Sequence, residues 1–225
     1  MEGRPGFSNK GSIKLVHRFI LTLVLLGIEG FALGAFDGSH LERAIETWDR
    51  ALLGEALREV EAEAKRSPLD EAGAYWHGVA AFHSVLMDTP PSDEVIDSSV
   101  ETVRKAIRLN PERKDTQAML CVLYGMRIQK NRIRAIWLGP RVMGLGKKAL
   151  AIPEDPRALY LVAACRYFGG QGKKDLEEAL RLLTRAETLF DLEKSTPTQT
   201  APRWGSQQCA RFKKLVLEKL AGKGQ

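Results

Sequence analysis

Residues 157–190 read RALYLVAACRYFGGQGKKDLEEALRLLTRAETLF. Two helical runs meet at a glycine-rich turn. In the first, Tyr160, Ala164 and Tyr167 recur at spacings of four and three; in the second, Ala179, Leu183 and Ala186 do the same. Spacings of four and three place side chains on one face of a helix. The glycines at 169, 170 and 172 break the pattern between the runs. Two adjoining helices with one apolar face each are predicted to fold back on each other as a hairpin.

The second-helix pattern occurs again upstream. Ala56, Val60, Glu63 and Pro68 are matched forty-three residues later by Ser99, Val103, Ala106 and Pro111. Another forty-three residues bring Val142, Gly146 and Ala149, with Pro153 one position early, and thirty-seven more bring Ala179, Leu183 and Ala186. A proline beyond each set stops one helix and suits the start of the next. A repeat of helical hairpins follows, because self-similarity at a fixed period of this size marks stacked supersecondary units. Nothing after Ser39 alternates with a period of two, so no strand is predicted.

The spacing resembles the second helix of a tetratricopeptide repeat, with its A-x3-F-x2-A-x4-P pattern, and residues 157–190 match it best. The likeness covers residues 41–190. It departs from that family in a period longer than 34 and in a blurred W-x2-L-G-x2-Y first-helix signature. The Phe168-Gly169-Gly170 turn and Pro202-Arg203-Trp204-Gly205 are similar to exported bacterial tetratricopeptide-like proteins that carry FGG and WG at such places. The resemblance implies an all-α helical-hairpin repeat, a tetratricopeptide-like α-solenoid of about four helix pairs over residues 37–190. It also implies a concave surface lined by the first helices, with Tyr75, Tyr124, Tyr160 and Tyr167 contributing, that binds protein or peptide.

The extra length of the repeat is expected between the helices of each unit: a polar loop at Met87–Asp97, a basic and apolar insert at Arg127–Gly139, and a short turn at Gly169–Lys174. Such insertions map to one face, often the binding face. Residues 191–202 read as a linker loop, and residues 203–225 as a capping helix that closes the end of the stack.

Composition agrees with a folded domain. The chain has 225 residues, of which 44% are hydrophobic and 28% charged, which excludes wholesale disorder and collagen-like structure. Residues 1–34 read as an address. Arg4, Lys10, Lys14 and Arg18 precede the apolar run Phe19–Ile28 (FILTLVLLGI), and a small-residue stretch follows. These are the parts of a secretory signal peptide, with the cut expected after Gly34 or Ala35. Export to the periplasm or beyond is the expectation; an inner-membrane anchor formed by residues 14–36 is the alternative.

Charge is segregated along the chain. Residues 37–101 hold 15 acidic and 5 basic residues, whereas residues 104–148 hold 12 basic and 2 acidic. Two readings stay open: neighbouring repeats attract each other through these faces, or the basic band attracts an acidic partner. On the second reading the partner-binding residues are Tyr124, Arg127, Lys130, Arg132, Arg134, Trp137, Arg141 and Tyr160. Arginine beside tryptophan is the composition of interface hot spots. Contact with anionic lipid is also open, while nucleic acid is disfavoured because no recognition module is present.

Chemistry is harder to find. The steps Gly144-Leu145-Gly146-Lys147-Lys148 and Gly169–Lys174 follow no strand and lack the hydroxyl residue of a phosphate loop. His77 and His83 stand six apart, on different helix faces, so no metal is expected. Cys121, Cys165 and Cys209, each 44 residues from the next, are expected at equivalent places on successive helices as buried small hydrophobes. Helix axes 8–10 Å apart argue against a disulfide between them. No catalytic constellation and no cofactor site can be assembled. The expected function is a non-enzymatic binding scaffold in the cell envelope that takes an acidic protein or peptide. The alternative is a solute-binding accessory protein of an envelope transport system, holding a small ligand in the helical groove.

Overall fold

Some of the helices begin where a side chain supplies an acceptor for their unpaired N–H groups. Asp49 Oδ1 accepts from the N–H groups of Ala51 and Leu52 at 2.9 and 3.0 Å, Asp70 Oδ2 from Gly73 N at 2.6 Å, and Asp155 Oδ1 from Arg157 N at 2.8 Å. The computed structural model describes residues 38–88, 90–169, 172–196 and 202–222. Among these residues there are nine α-helices and no strand: α1 Ser39–Thr47, α2 Arg50–Arg66, α3 Glu71–Met87, α4 Asp93–Leu109, α5 Lys114–Lys130, α6 Ala135–Ala149, α7 Pro156–Gly169, α8 Lys173–Ser195 and α9 Ser206–Leu220. A 3-10 turn, Arg132–Arg134, joins α5 to α6. The chain is thus an all-α helical-hairpin repeat, with α3/α4, α5/α6 and α7/α8 as successive pairs. The signal or anchor segment lies outside the described residues.

Most of the periodic positions are core, while Glu63, Val142 and Gly146 are half-buried. Val60, Val103, Ala179, Leu183 and Ala186 are fully buried, and Ala56, Ser99, Ala106 and Ala149 nearly so. Small side chains there let second helices approach first helices closely, and burying one side chain such as Leu183 contributes roughly 2 kcal/mol. The first and second helices differ in kind. Helices α2, α4 and α8 are amphipathic, whereas α3, α5 and α7 are buried on every side for most of their length: residues 115–124 of α5 and 156–164 of α7 have no exposed member. A helix hydrophobic all round sits inside a protein.

Several boundaries differ from the sequence reading. Helix α4 starts at Asp93, capped by the Ser92 hydroxyl, so the first insert shrinks to a short loop. The segment 127–139 is helical at both ends, as the last turn of α5 and the first of α6, with Asn131 turning the chain between them. Helix α8 runs on to Ser195, past the expected start of the linker, because Leu189 and Phe190 still pack on the core there. The last helix begins at Ser206, three residues late, because Gly205 ahead of it adopts φ 104°.

Stacking is regular except at one unit. Helix α2 packs on α3, α4 on α5 and α8 on α9, but α6 rests on α5 and only grazes α7. In its place α5 and α7 pack directly against each other. Helix α6 is left at the periphery, with only Leu138 and Ala149 buried.

Candidate partner-binding surface

The inner side of the first helices is not open. The segment entering α9 occupies it, with Trp204 fully buried. Trp204 Nε1 donates to the Tyr75 hydroxyl at 2.9 Å, and its ring meets that of His83 edge-on at 5.1 Å. Tyr75 donates in turn to Asp115 Oδ2 at 2.8 Å, and Arg113 lies over the Tyr75 ring while its Nε donates to Asp115 Oδ1 at 3.2 Å. Arg157 makes two bonds to the Glu193 carboxylate, at 3.0 and 2.8 Å, and donates to the Pro202 carbonyl. The same segment reaches the opposite end of the stack: Arg203 N donates to Glu42, and Gln208 Nε2 to the Ile45 carbonyl at 2.7 Å.

This cluster has the residue types of an acid–base site, yet its groups are engaged with one another. Burial raises the Asp115 carboxyl above its usual range, against the lowering charge of Arg113. Burial and the neighbouring Asp115 raise Tyr75 well above its ordinary value. Both shifts are those of groups shut away from water. What they hold is the chain's own C-terminal segment.

The expected aromatic lining is accordingly corrected. Tyr75 and Tyr124 are 3% exposed and Tyr160 is 8% exposed. The Tyr124 hydroxyl accepts from Arg104 at 3.0 and 2.6 Å, and Tyr160 packs on Phe212 of α9. Tyr167 is half-buried between Phe212 and the Lys219 ammonium. Most of their surface faces other helices, so they form no continuous aromatic lining, although Tyr75 and Tyr124 each edge a separate shallow groove.

The basic band divides into two sets. Arg127 pairs with Asp97 at 2.8 Å, and Lys130 and Arg134 share Asp93 at 2.9 and 3.4 Å. Those three bridge α5 and the turn to α4, as attraction between neighbouring units predicts. The two cations hold the Asp93 carboxyl below its ordinary range, first through the Lys130 hydrogen bond. Arg132, Arg141, Lys147 and Lys148 are exposed, and no carboxylate pairs with them among the described residues. Beside them stand Ile133, Ile136, Trp137 and Met143, which are 53–77% exposed. Positions 133, 136, 137, 140 and 143 share one helix face, so the apolar side chains form a stripe along α6 with cations at its margins. Charge in this region is of one sign: there is no acidic residue between Asp115 and Glu154.

Between α5 and α6 runs a shallow groove of about 360 Å³, lined by Leu120, Tyr124, Arg141, Gly144, Leu145 and Lys148. Its walls are mainly apolar, and its only charged lining groups are the two cations. Gly144 is open to it, with nothing within 4 Å of where a Cβ would stand.

The three cysteines are free thiols on alternate helices, as expected, but two of them approach closely. Cys121 Sγ and Cys165 Sγ lie 3.4 Å apart, while Cys209 on α9 donates to the Leu183 carbonyl at 3.7 Å. The spacing of helix axes does not set the spacing of sulfurs. Side chains reaching inward from both helices cross that gap, and α5 meets α7 without an intervening helix. His83 is buried against Trp204 and Phe82, and among the described residues no three His, Cys, Asp or Glu side chains gather as metal ligands.

Among the described residues no helix is long and apolar enough to cross a membrane. Compared with protein-family models, curated proteins and solved structures, the chain finds no match in any of the three.

Proposed function

We propose that this protein is a non-enzymatic binding module of the cell envelope, tetratricopeptide-like in its repeats, that holds an acidic peptide segment of a partner protein on the outer face of α6. The observation that carries this reading is the coincidence, on one peripheral helix and the 3-10 turn before it, of an exposed apolar stripe with four cations that no carboxylate pairs among the described residues. Exposed apolar side chains rimmed by charge mark interaction surfaces. The α5/α6 groove favours a peptide over a flat lipid surface, because it offers a recess for one apolar side chain with Arg141 and Lys148 placed for carboxylates beside it. Placement in the envelope rests on residues 1–34, whose basic start and ten-residue apolar run suit an export signal.

The test uses a fluorescein-labelled peptide of alternating leucine and glutamate, read by anisotropy. The wild-type chain is expected to bind it, and the R132E/R141E pair to bind at least tenfold more weakly with unchanged far-UV circular dichroism. Tenfold corresponds to about 1.4 kcal/mol. Equal binding by both chains overturns the reading. Binding to vesicles of anionic phospholipid without binding to the peptide assigns the surface to membrane instead.

The groove supports one second reading, a solute site for a small amphipathic anion, since ligand pockets start at about 300 Å³. Dodecanoate is the discriminating probe: a thermal shift with dodecanoate that L145R abolishes, in the absence of peptide binding, favours the solute.

A further inference from the structure

Helices α5 and α7 meet at two thiols. Cys121 Sγ stands 3.4 Å from Cys165 Sγ and 3.5 Å from the Val142 carbonyl of α6. Two glycines face the sulfurs: a Cβ at Gly125 would touch Cys165 Sγ at 3.9 Å, and one at Gly146 would touch Cys121 Sγ at the same distance, both ordinary contacts. The sulfurs need only about 1.4 Å of closure to reach the S–S length of about 2.05 Å. Cys209 has no sulfur neighbour and serves as an internal control.

We propose that Cys121 and Cys165 form a reversible disulfide that ties α5 to α7, with a peroxide as oxidant. Cys121 itself donates to the Val142 carbonyl, while the hydrogen bond shared with Cys165 holds the Cys121 thiol below its usual range, with the charge of Arg166 acting in the same direction against burial. The same bond raises Cys165, which keeps its proton. Cys121 is assigned as the attacking sulfur, the thiolate being the reactive form. Its sulfur attacks one peroxide oxygen, the O–O bond breaks, and hydroxide leaves with the proton that Cys121 gave up. The resulting Cys121 sulfenic acid is attacked by the Cys165 sulfur; the S–S bond forms, the S–O bond breaks, and the departing hydroxide takes the Cys165 proton. Two thiols and one hydrogen peroxide give one disulfide and two waters. Cys121 is 2% exposed and Cys165 half-buried, so a two-atom oxidant fits where a bulky disulfide reagent is slowed. A thiol reductant reverses the link by exchange.

The experiment treats the fully reduced chain with hydrogen peroxide, then counts thiols after denaturation and maps peptides without reduction. The expected result is a fall from three thiols to one, a mass lower by two hydrogens, and a linked pair of peptides holding Cys121 and Cys165. C209S is expected to fall from two thiols to none in the same way, and dithiothreitol to restore both. Formation of the link is expected to raise the thermal midpoint, since it closes a 44-residue loop in the unfolded chain. Thiols that stay reduced, sulfinic acid without a link, or a link through Cys209 each overturn the proposal. C209S carries the test whether or not C121S and C165S fold.

Discussion

Trp204 Nε1 donates to the Tyr75 hydroxyl at 2.9 Å, joining residues 129 apart in sequence at the centre of the stack. That bond turns an open row of hairpins into a closed one, because the segment carrying Trp204 fills the side on which the first helices face inward. Replacing Trp204 by alanine is expected to cost about 3–5 kcal/mol, the range for emptying a buried aromatic site. W204F keeps most of the volume and loses the N–H donor, so a loss of about 1 kcal/mol is expected. Urea unfolding of the three chains checks this. A W204A loss below that of W204F would show that the segment does not seal the core.

Gly205 is the hinge of the same segment. Its φ of 104° lies where side chains are strained, and a Cβ would meet Phe190 Cζ at 3.1 Å and Arg157 Cγ at 3.5 Å. G205A is expected to destabilise by about 1–3 kcal/mol, combining an unfavourable backbone region with a contact that obliges Phe190 to shift. Thermal unfolding measures it. A neutral substitution would mean that the turn into α9 relaxes freely.

Local periodicity explains what the sequence shows and what it hides. Val60, Val103 and Leu183 were readable because a helix face repeats within seven residues, and each face packs on its neighbour in sequence. The pairing of Arg127, Lys130 and Arg134 with Asp97 and Asp93 was half-readable, as opposite charge on adjacent units. The contact of residue 75 with residue 204 was not, since no spacing rule links positions so far apart. One signal did exist. In α3 the run from Tyr75 to Val85 has no charged residue, and the middle of α5 is similar. Helices apolar all round leave no wet side for an open groove, which predicts that something covers Tyr124 and Tyr160. The sulfur–sulfur contact was hidden for another reason: it depends on α5 meeting α7 directly, which the repeat spacing does not reveal.

His83 gives the fold a pH dependence. It is fully buried, and loss of hydration lowers its pKa from 6.5 to about 4, with the Nδ1 contact to the Val79 carbonyl acting weakly the other way. The folded state therefore binds this proton less readily than the unfolded chain. Stability from His83 is complete above pH 6.5 and falls as pH drops towards about 4, by roughly 3 kcal/mol over the window. The raised carboxyls of Asp115 and Glu42 act in the opposite direction, as folding favours their protonated forms. In H83F, urea midpoints measured between pH 7 and pH 4 are expected to lose the downward slope. A slope unchanged in H83F would assign the acid sensitivity to other groups.

Helix α6 is built from poor helix formers, and its own packing does not explain them. Gly139, Pro140, Gly144 and Gly146 all lie within fifteen residues. Gly146 has Cys121 nearby, but at Gly139 and Gly144 nothing stands within 4 Å of a Cβ position. Each of these two glycines costs the helix about 0.8–1 kcal/mol relative to alanine. The G139A/G144A pair is therefore expected to raise stability by about 1–2 kcal/mol, read from the thermal midpoint and urea unfolding. If the bare backbone is where a partner lies down, the same methyl groups come between the surfaces, and affinity for the leucine–glutamate peptide should fall severalfold as stability rises. Opposite signs in the two measurements would separate a surface kept open for contact from one that is merely loose. Stabilisation with unchanged peptide affinity would confine the contact to Ile133, Ile136 and Trp137, one turn nearer the start of the helix.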